Sequence, residues 1–275
     1  MPITSADPVA VVTGGARGIG FACARRFARD GMRVVIADID ETSGLAACEE
    51  IEAHGGEALF VHCDVGERFD IHNVMAETVD TFGRVDVMVA AAAAGAPSAF
   101  LDIDEKSFDA VMRVNLRGAF LAGQAVARQM VRQLQATTSR DAERERPYSL
   151  IFISSVNAVM ASATELAFAV SKGAVNQLAK SMAIALAPHG IRVNAIGPGT
   201  VSTESVKPLI SDAKTRANVL SRTPLGRIGD ANEIAAIAAF LASREASYIT
   251  GQCIYADGGR LALNYTVETL AGGPA

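Results

Sequence analysis

The sequence predicts an α/β fold: a doubly wound, parallel, seven-stranded sheet with helices on both faces, built as one domain over residues 1–275. Three observations predict it. Short runs of Val, Ile and Ala, too uniformly apolar to alternate, recur between longer segments of helical spacing, as strands buried on both faces do when crossover helices join them. A glycine-rich turn, Thr13-Gly14-Gly15-Ala16-Arg17-Gly18-Ile19-Gly20, leads the first run straight into a helical segment. Asp38 closes the second run roughly twenty residues later.

Val9–Val12 is the first strand, Ile19–Arg29 the first helix with Gly31 as its stop, and Arg33–Asp38 the second strand. Glycines at 14, 18 and 20 let backbone N–H groups approach a pyrophosphate at the helix start, with Arg17 and Ile19 in the same turn. Asp38, followed by Ile39, can accept hydrogen bonds from an adenosine ribose and repel a 2′-phosphate, so NAD is expected over NADP. A glycine turn alone is a weak signal, but strand, turn, helix, strand and acid arrive here in the required order.

Helix 41–53 and strand 58–62 follow, then Asp64 and Val65 before a helix over 67–82; Asp64 is also a candidate cap for that helix. Val85–Val89 is the fourth strand, and Asp104–Met112 a short helix. Residues 133–148, charged, mixed in sign and containing Pro147, read as a surface insertion. Leu150–Ile153 is a buried strand with Ser154 and Ser155 at its carboxyl end, where ligands of open α/β sheets bind. A helix over about 164–187 places Phe168 and Lys172 one turn apart on one face. Ile191–Ile196, a substrate lid within 200–226, a helix over 230–241, a last strand within 251–259 and a tail from 260 to 275 complete the chain.

The formal charge of −5 gives no reason to expect nucleic acid, and no apolar run reaches the roughly eighteen residues of a membrane span. Cys23, Cys48, Cys63 and Cys253 form no C-x-x-C pair and read as buried free thiols; no metal is expected. Residues 1–8 show no secretory or mitochondrial address, so the expected location is the cytoplasm.

The T-G-x-x-x-G-x-G turn at 13–20, the lysine of a Y-x-x-x-K pair at 172, the N-x-x-G element from Asn115, the P-G segment at 198–199 and Asp257-Gly258-Gly259 resemble the short-chain dehydrogenase/reductase family from Val9 to Gly259. The resemblance implies that Asp64 and Val65 contact the adenine, and that Pro198, Gly199, Val201 and Thr203 present backbone groups to the nicotinamide carboxamide. Ala91 and Ala93 stand where the family carries asparagine and glycine, which keeps the cofactor close and implies local loosening with an unsatisfied backbone group. Asn115 would kink its helix and hold a water that joins Lys172 to solvent. Ser155 would polarise the substrate oxygen, and Lys172 would hold the nicotinamide ribose and lower the pKa of the proton-transferring tyrosine.

That tyrosine position is Phe168. A positioned acid/base contributes about 10²- to 10⁴-fold, so the chain is expected to be a slow NAD-dependent oxidoreductase of secondary alcohols and ketones. Three accounts stand: a tyrosine changed to phenylalanine, a natural relative that binds NAD without turning it over, or a proton carried by Glu165 or by a water on Ser155 and Lys172. Arg17 argues weakly for NADP, because some NADP-dependent relatives keep a basic residue inside the turn, but the Asp38 carboxylate at the ribose is expected to dominate. The apolar breadth of the 164–187 helix points to burial against another subunit, and the resemblance, in which relatives pack two such helices into a four-helix interface, implies a homotetramer, with a dimer second. Ala96, Phe100, Asn157, Val159, Met160, Leu209 and Leu220 are candidate substrate-pocket residues, whereas Lys207, Lys214 and Arg216 read as lid solvation.

Overall fold

Strand and helix alternate along the chain. Val9–Thr13 (β1), Gly18–Arg29 (α1), Arg33–Asp38 (β2), Glu41–Ala53 (α2), Glu57–His62 (β3), Arg68–Phe82 (α3) and Val87–Ala90 (β4) form the first half. Glu105–Met112 (α4), a π-helical turn at Arg113–Gly118, Ala119–Ala136 (α5), Ser149–Ile153 (β5), Leu166–Leu186 (α6) and Arg192–Pro198 (β6) follow. Val201–Ser202 (β7), Lys207–Ser211 (α7), Ala213–Leu220 (α8), Gly229–Asp230 (β8), Ala231–Ala242 (α9) and Cys253–Ala256 (β9) complete it. The structure, a computed structural model, describes residues 7–136, 148–204 and 206–267.

Seven strands pair in parallel in the order β3-β2-β1-β4-β5-β6-β9. Successive side chains of a strand point to opposite faces, and the sequence uses both. Val9, Val11, Val35 and Ala37 pack with residues of α3, α5 and α6, while Ala10, Val12, Val34 and Ile36 pack with residues of α1, α2 and α9. That two-sided burial is why β1 carries no polar side chain until Thr13. Gly31, at φ +89°, sits just past α1 and turns the chain into β2.

Helix ends match local chemistry. Asp40 caps α2 by accepting from the N–H of Ser43, Asp104 caps α4 through that of Ser107, and Asp230 with Glu233 makes a reciprocal capping box on α9. Three expectations need correction. Val85 and Asp86 precede β4: the buried Asp86 carboxylate accepts from Val9 N and pairs with Arg84, which closes the sheet's amino-terminal edge. The insertion expected over 133–148 does not begin at 133, because α5 runs to Ala136 and Gln133 holds both the N–H and C=O of Val85; Tyr148 is buried. Residues 137–147, like 268–275 of the expected tail, lie outside the described residues. Val201 and Ser202 pair with Gly229 and Asp230, so the first residues of the 200–226 segment form a short strand.

Cys23, Cys48 and Cys63 are buried free thiols; burial pushes Cys23 up to about 12. Among the described residues no helix is long and apolar enough to cross a membrane.

Candidate active site

The strand order reverses between β1 and β4, so the loops leaving their carboxyl ends diverge and open a crevice of about 900 Å³. Gly14, at φ +66°, leaves β1 so close to the β4 loop that a Cβ would stand 2.5 Å from Ala92 N. A Cβ on Gly20 would meet Gly14 O at 1.9 Å. Side chains at either position would fill the cradle. Arg17 occupies the N-cap position of α1 with extended backbone and no side-chain cap, and the first turn holds no acid. The first N–H groups of α1 thus have no side-chain acceptor where Gly18, Ile19 and Gly20 line the crevice, the arrangement that seats a pyrophosphate.

At the far end Asp38 and Asp64 line the crevice, with Asp40 beside Asp38. Asp38 accepts from Ala16 N at 3.0 Å and Asp40 N at 3.1 Å, one on each oxygen, and each oxygen keeps a lone pair for a ribose hydroxyl. The Arg17 guanidinium lies 3.2 Å from Asp40. Asp64 is not the cap of α3: its carboxylate accepts from Gly66 N at 2.9 Å and from Arg113 Nη2 at 2.8 Å, and Glu67 takes the N-cap position. Burial pushes the Cys63 thiol up to about 12, aided by the charges of Asp70, Asp64 and Asp38. Ile39 lines this end and is largely exposed.

At the near end, Ser155 caps a short 3₁₀ turn by accepting from Asn157 N at 3.1 Å, which leaves its O–H for a substrate oxygen. Lys172, on α6, is 3% exposed; Nζ donates to Ile153 O at 2.8 Å and lies 5.4 Å from the centroid of the Phe168 ring. Burial lowers its pKa to about 8. Ser154 is structural, its hydroxyl donating to Lys172 O.

Asn115 does not reach the crevice. It sits buried behind it in the π-helical turn, where its amide accepts from Ala94 N at 2.7 Å and donates to Ala94 O and Ser171 Oγ at 2.9 Å each. The backbone loosening expected from Ala91 and Ala93 is countered in this way, and Ala91 N bonds Thr13 O. Between Asn115 and Lys172 lies a cavity of about 10 Å³, room for one water.

The crevice lining brings together Gly14, Arg17, Gly18, Ile19, Gly20, Asp38, Ile39, Asp64, Val65, Ala91, Ser155, Phe168, Lys172, Pro198, Gly199, Val201 and Thr203. Glu165 is not in it: this residue occupies the N-cap position of α6, where burial raises its carboxyl. The lining ends at Gly95 on the β4 loop and at Val206 before α7, so Ala96, Phe100, Asn157, Val159, Met160 and Leu220 fall outside it; Phe100 and Val159 are exposed. The Leu209 side chain lies outside the described residues. Sequence reasoning missed Arg113 and Ser171. Arg113 gave no signal, being one arginine among several, whereas Ser171 could have been found as a small polar residue beside Lys172 on a buried face.

An anion seat on one wall and a serine with a buried lysine on the other, at the carboxyl edge of a doubly wound sheet, mark a dinucleotide-binding oxidoreductase scaffold. A family model described as enoyl-(acyl carrier protein) reductase matches residues 14–260. The L-rhamnose 1-dehydrogenase (NAD(P)(+)) of Azotobacter vinelandii is 38% identical over 257 residues, covering 92% of this chain and 96% of the relative. The short-chain reductase protein NovJ of Streptomyces niveus is 36% identical, over 93% and 95% respectively. A solved short-chain type dehydrogenase/reductase from Mycobacterium marinum superposes with a TM-score of 0.84 at 32% identity, covering 92% of this chain and 95% of that one. The chain belongs to the short-chain dehydrogenase/reductase family of oxidoreductases.

Proposed function

We propose that this chain moves hydride between NAD and a secondary alcohol or ketone, with its proton transfer slowed because Phe168 stands in the place of the acid/base tyrosine. The observation that carries this reading is the buried Lys172 amine, 5.4 Å from the centroid of the Phe168 ring in the crevice that Ser155 also lines. When bound, the nicotinamide supplies the hydride acceptor or donor. The rest falls to the protein. Gly14, Gly18 and Gly20 admit the pyrophosphate with Arg17 and Ile19 beside them; Asp38 and Ile39 hold the adenosine ribose; Asp64 and Val65 border the adenine. Pro198, Gly199, Val201 and Thr203 offer backbone groups to the carboxamide, and Ala91 leaves room for the ring.

Ser155 donates its O–H to the reacting oxygen, and Lys172 binds ribose hydroxyls through Nζ. A water in the cavity between Asn115 and Lys172 would let that amine exchange protons with solvent, which leaves water on Ser155 and Lys172 rather than Glu165 as the substitute proton carrier. NAD is proposed over NADP because Asp38 is a fixed carboxylate and Arg17 already pairs with Asp40. The relatives named for L-rhamnose make a sugar hydroxyl the first substrate to try.

A second reading, an NAD-binding module without turnover, is favoured by the same missing phenol. Calorimetry with NAD and NADP, followed by NADH formation over a panel of secondary alcohols and L-rhamnose, tests both. Uptake of NAD with slow turnover is expected; uptake without turnover selects the module, and no uptake contradicts both. We further propose a cytoplasmic homotetramer, with a dimer second, in which the exposed Val170 and Ile184 of α6 are covered; Val175, Ala179 and Ala183 already pack within the subunit. A substrate lid within 200–226 is proposed as well.

A further inference from the structure

We propose that Arg113 is the positioning residue of the adenine end: it orients the Asp64 carboxylate toward the adenine amino group and fixes that loop to the turn carrying Asn115. The proposal rests on the reading that NAD occupies the crevice.

Arg113 is the first residue of the π-helical turn and lines the crevice. One nitrogen, Nη2, donates to Asp64 Oδ2 at 2.8 Å and to Glu67 Oε1 at 2.7 Å, so a single guanidinium closes both ends of the loop after β3. The Arg113 side chain packs against Gly66, where a Cβ would stand 2.6 Å from Arg113 Cζ. From the same turn Arg117 donates to Gly66 O at 2.6 Å. Asp64 Oδ1 is used by Gly66 N. With each oxygen fixed by one donor, the carboxylate cannot rotate, and each keeps a lone pair. The crevice-facing lone pairs suit an exocyclic amine.

Charge supports the geometry. Asp64 faces Arg113 and His62, its backbone N–H donates to Asp70, and Glu67 shares the Arg113 guanidinium; burial would raise its carboxyl, but the Arg113 and Gly66 hydrogen bonds, aided by the Arg113 and His62 charges, outweigh burial and hold it below the usual value. Two residues along, Asn115 ties the turn to Ser171, which neighbours Lys172. The adenine loop and the lysine therefore hang on one short rigid segment.

The test is calorimetry of Arg113→Ala and Arg113→Lys with three probes: NAD, AMP, and nicotinamide mononucleotide, which lacks the adenosine. Loss of a hydrogen bond to a charged group is worth about 10- to 100-fold, so Arg113→Ala should weaken NAD and AMP by that factor and leave nicotinamide mononucleotide within about twofold, with Arg113→Lys intermediate. AMP affinity of the unaltered protein should hold down to a lower pH than that of Arg113→Ala, where Asp64 regains an ordinary carboxyl. Should Arg113→Ala fail to fold, Gly66→Ala displaces the guanidinium without removing it and should show the same probe selectivity. Unchanged AMP affinity, or equal loss of all three probes, overturns the proposal. An unaltered protein that takes up no NAD overturns this inference together with the proposed function, whereas normal NAD uptake with AMP indifferent to Arg113 overturns this inference alone.

Discussion

The Lys172 amine lies 5.4 Å from the centre of the Phe168 ring and donates a hydrogen bond to Ile153 O. An aromatic face attracts the ammonium only modestly, and burial outweighs that attraction, which leaves the group near 8. An unfolded lysine titrates near ~10.4, so between about 8 and that value the unfolded chain binds more protons and stability must rise with pH. Below that window both states are charged and the penalty is constant. Against Lys172→Met, the unaltered protein should gain up to roughly 3 kcal/mol across the window. Denaturant unfolding of both proteins at a series of pH values checks this, and parallel curves would contradict it.

Asn115 satisfies both backbone groups of Ala94 and the hydroxyl of Ser171. Asn115→Ala removes all three bonds and strands polar groups in a buried site, for a loss of roughly 2–4 kcal/mol. Thermal unfolding reads the loss. Asn115→Asp, which keeps the acceptor for Ala94 N, should fall between the two.

Gly20→Ala places a methyl where Gly14 O stands, 1.9 Å away. The turn must open, so NAD affinity should drop by at least about tenfold while the sheet core, buried elsewhere, still folds. Calorimetry and circular dichroism together separate the two effects.

Asp38→Asn keeps an acceptor and removes the charge. A phosphate at the ribose then escapes a repulsion worth a few kcal/mol at short range, so the NAD-to-NADP affinity ratio should fall by about tenfold or more. An unchanged ratio would show that Arg17 and Asp40, rather than Asp38, set the preference.

Much of this was legible in the sequence for a physical reason. The strand interiors Val9–Val12 and Val34–Ala37 are buried on both faces, a demand that an apolar run meets. The glycines at 14 and 20 are equally legible, because close approach tolerates no side chain. What stayed hidden depends on contacts between distant segments. Arg113 reaches Asp64 across 49 residues, Gln133 reaches Val85 across 48, and no local pattern marks either. The apolar residues offered as a substrate pocket show the same dependence: Phe100 and Val159 are exposed and outside the crevice lining, and the path of their loops, which no local pattern records, decides which way they face.

The most direct measurement compares the rate of NADH formation, on the same alcohols, by the unaltered chain and by Phe168→Tyr. The added hydroxyl would lie beside the Lys172 amine and within the crevice that holds Ser155. A gain of about 10²- to 10⁴-fold in kcat with little change in NAD affinity is the predicted result. No gain, with NAD still bound, would show that this site does not carry out hydride transfer through a proton-exchanging group at position 168.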